Sequence, residues 1–171
     1  LDSLSDLVSF GVLPAIMLYC ATGSCGWICY IPLIIAVFSA LRLAKFNLDE
    51  RQHSGFLGLP TPACAMICGS LACFAFSSPE SILASLCHSC WFVPALSIVL
   101  SLLLVSEIPM FSMKFGKDTV QDRRTGILRI IFLAAAVLTV CIVAAFRLHW
   151  SLTILIIFSI YIVMNIISPK Q

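Results

Sequence analysis

The chain carries no charged residue from Leu7 to Leu41, and much of its remaining length is equally apolar. Of its 171 residues, 61% are hydrophobic and 11% are charged, whereas a soluble domain has about 45–50% and about 25%. Apolar stretches of about 20 residues are typical of helices that cross a bilayer. The sequence therefore predicts an all-α, polytopic integral membrane bundle. Its net charge of +2 is too small to indicate a nucleic-acid partner.

Six segments are candidate membrane-spanning helices. Two polar loops, Asn47 to Pro60 and Glu107 to Thr125, separate some of them, and a turn at Ser77 to Glu80 leads to an interfacial stretch. Because the chain has no initiator Met, we expect a single domain over residues 1–171 that is truncated at its N-terminus, with about eight spans in the full protein. The six candidates run approximately from Asp2 to Cys20, Trp27 to Phe46, Thr61 to Phe76, Cys90 to Ser106, Gly126 to Arg147 and Trp150 to Ile167.

Lys and Arg are distributed unevenly between the two ends of these spans. If Asp2 faces the cytoplasm, nine of the ten basic residues lie on the cytoplasmic side and only Arg147 lies opposite. Cytoplasmic loops of membrane proteins carry such an excess. The pattern predicts a cytoplasmic-membrane protein whose polar loops face the cytoplasm. The nine residues are Arg42, Lys45, Arg51, Lys114, Lys117, Arg123, Arg124, Arg129 and Lys170.

Most of the nine cysteines lie in apolar runs, where Cys behaves as a small hydrophobic residue. Only Cys87, His88 and Cys90 resemble a ligand cluster, and they supply three candidate ligands without a fourth nearby. Such residues could form a zinc site or a disulfide. We favour a turn at the lipid edge.

Two carboxylates, Asp2 and Asp6, open the first candidate span. Residues four apart lie on one face of a helix. Acidic groups at a helix N-terminus can simply complement its dipole, with Ser3 and Ser5 assisting as caps. Acidic groups at the mouth of a membrane helix can equally mark a functional site, for example part of a divalent-cation site. The spacing alone leaves these two interpretations open.

The pair Asp2-x3-Asp6 resembles the second half of the CDP-alcohol phosphatidyltransferase signature, D-x2-D-G-x2-A-R-x8-G-x3-D-x3-D. Three later blocks resemble the phosphatidylserine synthase branch of that family. The first half of the signature is absent, and we expect it upstream of Leu1. The three blocks are Arg42-Leu43-Ala44-Lys45-Phe46-Asn47, Gly55-Phe56-Leu57-Gly58-Leu59-Pro60-Thr61-Pro62-Ala63 and Ser106-Glu107-Ile108-Pro109-Met110-Phe111-Ser112-Met113-Lys114-Phe115.

The resemblance implies transfer of a phosphatidyl group from CDP-diacylglycerol to L-serine, giving phosphatidylserine and CMP. It implies two bound divalent cations, Mg²⁺ or Mn²⁺, with Asp2 and Asp6 as metal ligands. Asp6 would also be the catalytic base that accepts the proton of the serine hydroxyl. It further implies a homodimer in a prokaryotic cytoplasmic membrane, with its active site facing the cytoplasm.

Arg42 and Lys45 end the second span at the level of the aspartates. They can snorkel and fix the topology, or bind phosphate or the serine carboxylate with Asn47 as a polar helper. Lys45 stands where related enzymes usually carry Arg, so it keeps the charge but loses the planar fork. We favour substrate binding for Arg42. We interpret Glu107 as a structural acid at the membrane interface. The loop with Gly55, Gly58, Pro60 and Pro62 could be either a lid or a plain connector.

Three alternatives remain open at the level of sequence. The acceptor could be glycerol 3-phosphate or inositol phosphate, or the donor could be an archaeal ether lipid. A transporter is disfavoured because the spans carry almost no ionisable groups beyond their ends and no inverted repeat is visible. A non-catalytic membrane subunit is the third alternative, and it would leave Asp6 replaceable.

Overall fold

The computed structural model describes residues 2–22, 26–48, 56–110, 122–147 and 149–167. Within these ranges the chain is almost entirely helical, and its only strands are two of two residues each, β1 (Phe56–Leu57) and β2 (Pro109–Met110). The predicted all-α membrane architecture is therefore confirmed. The α-helices are α1 (Asp2–Leu7), α2 (Leu13–Ala21), α3 (Ile34–Leu48), α4 (Thr61–Ser77), α5 (Ile82–His88), α6 (Phe92–Val105), α7 (Asp122–Ala145) and α8 (Trp150–Ile167).

The first span is continuous but changes its winding. A π-helical turn, Val8–Val12, joins α1 to α2, and Pro14 lies in the first turn of α2. Proline has no N–H to donate and its ring crowds the carbonyl four residues earlier, here that of Phe10. The wider π turn accommodates that defect within one helix. The acidic first turn and the apolar span therefore form one rod.

Pro32 has a comparable effect in the second span. The segment Gly26–Leu33 is a 3₁₀-helix, and the α-helical winding of α3 begins only after it. Because Pro32 has no N–H to donate, an α-helical hydrogen bond is absent there in any case, and the tighter 3₁₀ winding can be accommodated at this end of the span. Both predicted spans are thus present, with proline marking the point where each changes its winding.

Helix α4 lies at the centre of the bundle, against α2 on one side and α8 on another. Its small residues allow close approach, and most of its length is buried. α6 packs on α3, and α7 packs mainly on α8 at the periphery. Cys64 and Cys68 are buried free thiols in this core. They confirm that cysteine serves here as a small apolar residue.

Two continuous helical segments, Asp2–Ala21 and Gly26–Asn47, are each long and apolar enough to cross a bilayer. α4 and α5 pass the same test jointly, but they meet at 109°. The apolar parts of α6, α7 and α8 are shorter, so six crossings remain a prediction. The outward surface of the bundle is rich in exposed Leu, Ile, Val and Phe. Such a surface suits contact with lipid.

The C-H-S-C segment that ends α5 differs from its sequence-based interpretation. Cys87 is a buried free thiol, whereas Cys90 is disulfide-bonded. The favoured interpretation, a plain turn, was therefore wrong for Cys90, because its partner lies outside the local motif from which we argued. Among the residues that the structure describes, no three His, Cys, Asp or Glu side chains form a metal-binding group.

Gly11 lies at a close approach of the first two spans. A Cβ placed on Gly11 would lie 2.9 Å from the Cβ of Ser39 on α3. We expect Gly11→Ala to lower stability by about 1–3 kcal/mol, because one of the two helices must move. Gly69→Ala is the matched control, since a Cβ on Gly69 in α4 meets nothing within 4 Å. Thermal denaturation in detergent would test the prediction, and equal melting temperatures for the two variants would contradict it.

Candidate active site

The acidic first turn is attached to the end of α3 by a polar contact. Asn47 Nδ2 donates to Ser3 Oγ at 3.2 Å, and Ser3 lies between Asp2 and Asp6 in the same helix. Asp2 is exposed and Asp6 is half-buried. The end of the bundle that contains these residues also contains the start of α4 and the end of α6. We call it the site end.

Arg42 lies about one and a half turns before Asn47, but it points elsewhere. Its side chain is only 8% exposed, and its Nη1 donates to the carbonyl oxygen of Leu104 at 3.1 Å. Leu104 belongs to the last turn of α6, where carbonyls lack intrahelical donors and the helix dipole is negative. Arg42 therefore joins α3 to the C-terminal end of α6.

Gly58 makes this junction possible. Its φ of +73° lies in the left-handed region, and its N–H donates to the carbonyl oxygen of Ile108 at 2.9 Å. A Cβ at this position would lie 2.5 Å from the carbonyl oxygen of Ser106 and 3.1 Å from Arg42 Nη1. Only glycine satisfies both the dihedral angle and the space.

The two polar loops are joined directly to each other. β1 and β2 pair antiparallel, with Phe56 opposite Met110 and Leu57 opposite Pro109. The N–H of Leu59 adds a bond of 2.9 Å to the carbonyl oxygen of Leu103. The described parts of the second and third sequence blocks, residues 56–63 and 106–110, thus form one layer at the site end. The alternative of a plain connector does not describe this loop.

An ion pair also connects α3 to the layer formed by the two loops. Lys45 Nζ lies 2.9 Å from Glu107 Oε1, and the two side chains are 40% and 78% exposed. Lys45 belongs to the first block and Glu107 to the third. The described parts of all three blocks are therefore in contact, although long stretches of chain separate them.

Helix α8 contributes polar side chains that sequence reasoning missed. Tyr161 is buried, interacts electrostatically with Arg42 and packs edge-to-face on Phe132 at 5.9 Å between ring centroids. Asn165, one turn further along, is also buried, and its Nδ2 donates to the carbonyl oxygen of Tyr161 at 2.8 Å. Tyr161 and Asn165, four residues apart in a mostly apolar helix, were the available signal.

The predicted substrate-binding residues fall into two groups. Arg42 and Lys45, three residues apart, share the face of α3 that meets α6 and the paired loops. Asn47 lies on another face and meets the acidic turn. This division follows from the helical period, because residues two apart do not face the same neighbour. α3 is thus the element that connects the aspartates to the basic groups.

Asp2 and Asp6 can supply only part of a cation site. They place two carboxylates on one face of α1, which suits a hard cation. Mg²⁺ and Mn²⁺ take about six oxygen ligands, so further donors would have to complete the sphere. Of the nine basic residues predicted for this side, four lie outside the described residues, namely Arg51, Lys114, Lys117 and Lys170, as does Gly55. Only the backbone of Arg123, Arg124 and Arg129 is described.

Replacing Arg42 tests whether the junction stabilises the fold. Arg42→Met keeps most of the aliphatic stem but leaves the carbonyl of Leu104 without this donor. A hydrogen bond to a charged group is worth about 1.5–3 kcal/mol, and we expect a loss of stability of that size. Arg147→Met at the opposite end is the control, because Arg147 is exposed. If Arg42→Met melted at the wild-type temperature, the junction would not be a stabilising contact.

No protein-family model matches the chain, but individual proteins are similar to it. It is 32% identical over 164 residues to the CDP-diacylglycerol–serine O-phosphatidyltransferase of Mycobacterium bovis, covering 90% of this chain and 54% of the relative. It is 31% identical over 161 residues to the protein of the same name from Methanocaldococcus jannaschii, covering 94% and 66%. Archaetidylserine synthase of Methanothermobacter thermautotrophicus is 40% identical over 83 residues, covering 47% of this chain and 35% of the relative.

The chain spans about half the length of the mycobacterial relatives that it matches. Two of these three names denote serine phosphatidyltransferases and the third an archaetidylserine synthase. The two long alignments cover nine tenths or more of this chain. These relatives support placing the chain in the CDP-alcohol phosphatidyltransferase family.

Proposed function

We propose that the protein transfers the phosphatidyl group of CDP-diacylglycerol to L-serine, with phosphatidylserine and CMP as products. The observation that carries the proposal is the convergence of the three sequence blocks at the site end, beside the acidic turn of α1. The names of the similar proteins support the same reaction.

The chemistry assigns a role to each group of residues. Asp6 accepts the proton of the serine hydroxyl as the serine oxygen forms a bond to the phosphorus that carries the diacylglycerol. The bond from that phosphorus to CMP breaks, and CMP leaves with the electron pair. Lys45 and Asn47 contact the polar substrates. Arg42 adds positive charge at the same end, from a position in which it also holds the end of α6.

Asp2 and Asp6 would hold Mg²⁺ or Mn²⁺ together with ligands outside the residues described. A bound divalent cation supplies charge neutralisation at the pyrophosphate and stabilises the leaving CMP. We expect the missing ligands in a D-x2-D-G-x2-A-R segment encoded upstream of Leu1. Reading the coding sequence tests this expectation, and its absence there would contradict the two-metal assignment.

The site end faces the cytoplasm in this proposal. Nine of ten basic residues belong to that side. All three tryptophans, Trp27, Trp91 and Trp150, are exposed at the opposite end, where they suit the membrane–water interface. Cys90 lies at the same end as these tryptophans and is disulfide-bonded. Disulfides persist in oxidising compartments, which favours an outward position for that end.

Two finer points belong to the same proposal. The protein forms a homodimer in the membrane, as the family resemblance implies. An ether-lipid donor is the main alternative to the diacylglycerol donor, because an archaetidylserine synthase is among the similar proteins. Serine is the acceptor in both cases.

The acceptor is tested by comparing alcohols. The full coding sequence is expressed, and CMP release from CDP-diacylglycerol is measured with Mg²⁺ or Mn²⁺ present. Serine, glycerol 3-phosphate and inositol phosphate are supplied in turn. We expect serine to exceed the other two by at least about tenfold in kcat/KM, a difference that one set of polar contacts can provide. A higher value with either phosphate-bearing alcohol would overturn the assignment of serine.

A further inference from the structure

The ion pair between Lys45 and Glu107 has features that a purely stabilising contact does not need. Its side chains are 40% and 78% exposed, with Lys45 in the last turn of α3 and Glu107 two residues beyond the end of α6. An exposed ion pair contributes about 0–1 kcal/mol, so little is lost when it opens. Lys45 can therefore exchange its contact with Glu107 for a charged group of a ligand at small cost.

The position of the pair connects it to the proposed chemistry. Lys45 lies two residues before Asn47, whose amide contacts Ser3 between the two aspartates. On its other side, Glu107 follows the end of α6, which Arg42 holds through the carbonyl of Leu104. Exposed charges of opposite sign thus lie at a fixed place on the same end of the bundle as Asp6.

We propose that Lys45 and Glu107 together recognise the zwitterionic part of the acceptor amino acid. Lys45 binds the carboxylate of the acceptor and Glu107 binds its ammonium group, so the ligand replaces one ion pair by two. Glu107 thereby selects an amino acid over a neutral or anionic alcohol, because only the amino acid supplies a cationic group that Glu107 can bind. This assignment rests on the proposed serine transfer and deepens it.

The chemistry of the acceptor agrees with such a site. A free α-amino acid carries an ammonium group and a carboxylate on the same carbon atom, so a cation and an anion that lie close together can bind it. Charge-assisted hydrogen bonds of this kind are short and directional. A phosphate-bearing alcohol presents only negative charge, and the carboxylate of Glu107 would repel it.

The steady-state test uses the protein from the full coding sequence. We expect Lys45→Gln and Glu107→Gln each to raise the KM for serine by about 10- to 100-fold, as expected for loss of a contact to a charged group. The KM for CDP-diacylglycerol should change little in the Glu107 variant. Glu80→Gln is the matched control, because Glu80 is exposed beyond the opposite end of α4. Its serine KM should equal that of the wild type.

A charge-swapped double variant separates recognition from a purely structural role. Lys45→Glu combined with Glu107→Lys keeps an ion pair but reverses its direction relative to Asp6. We expect the swapped protein to retain its melting temperature and to keep a serine KM at least about tenfold above wild type. Recovery of the wild-type KM would show that the pair only joins the two helices, and would overturn the inference.

Two inhibitors identify which charge each residue binds. Ethanolamine lacks the carboxylate of serine, and 3-hydroxypropionate lacks its ammonium group. Glu107→Gln should weaken inhibition by ethanolamine but not by 3-hydroxypropionate, and Lys45→Gln should do the reverse. If the wild type turns over and both variants respond to the two inhibitors as the wild type does, this inference alone is overturned. A wild-type protein without serine-dependent CMP release would overturn the proposed function and the inference with it.

Discussion

Asp6→Asn is expected to abolish transfer while the protein stays folded. The amide has nearly the size of the carboxylate but cannot accept the proton of the serine hydroxyl, and it is a weaker ligand for a hard cation. Loss of a general base alone costs about 10²- to 10⁴-fold in rate, and loss of a metal ligand adds to this. Because Asp6 is only half-buried, the melting temperature should stay near that of the wild type.

Ser5→Ala provides the control for this experiment. Ser5 is exposed in the same turn of α1, and no role in binding or catalysis is assigned to it. CMP release by Ser5→Ala should match that of the wild type, and Asp6→Asn should fall to background. An Asp6→Asn protein with full turnover would contradict the catalytic assignment. It would favour the alternative of a non-catalytic membrane subunit.

Gly58→Ala is expected to have the largest effect on stability. The left-handed dihedral costs a residue with a Cβ about 1–2 kcal/mol. The Cβ would also meet the carbonyl oxygens of Ser106 at 2.5 Å and Leu104 at 2.9 Å. These are backbone atoms that Arg42 and the paired loops hold in place, so overpacking adds about 1–3 kcal/mol. We expect a large fall in melting temperature together with loss of activity.

Gly26→Ala separates these two contributions. Gly26 also has a positive φ, +60°, but nothing lies within 4 Å of a Cβ placed on it. It should therefore show only the backbone cost of about 1–2 kcal/mol. Thermal denaturation of both variants in the same detergent gives the steric part as the difference. A Gly58→Ala variant no less stable than Gly26→Ala would contradict the close packing of the loop against α6.

The helices were predictable because each depends on a local run of apolar residues. The prediction for Trp150 to Ile167 coincides with α8, and that for Thr61 to Phe76 differs from α4 by one residue. Pro14 and Pro32 lie where the first two spans change their winding. They did not reveal whether the deviation would be a π turn or a 3₁₀ segment, because that choice depends on the packing of neighbouring helices.

The contacts of the site were less predictable because they join distant parts of the chain. Two-residue strands have no periodicity to detect, so the pairing of Phe56–Leu57 with Pro109–Met110 had no local signal. The sequence indicated only a structural acid at Glu107, since its contact with Lys45 crosses from α6 to α3. The disulfide of Cys90 was missed for the same reason. The identity of the residues could be read from the sequence, but not their partners.

Transfer of a phosphatidyl group to serine at the site end is the reaction that we propose for this protein. Its most direct test is incorporation of isotopically labelled serine into lipid by the purified product of the full coding sequence, with CDP-diacylglycerol and a divalent cation supplied. We expect labelled phosphatidylserine in amounts equal to the CMP released, and none with Asp6→Asn. Release of CMP without label in the lipid, or label in lipid without CDP-diacylglycerol, would contradict it.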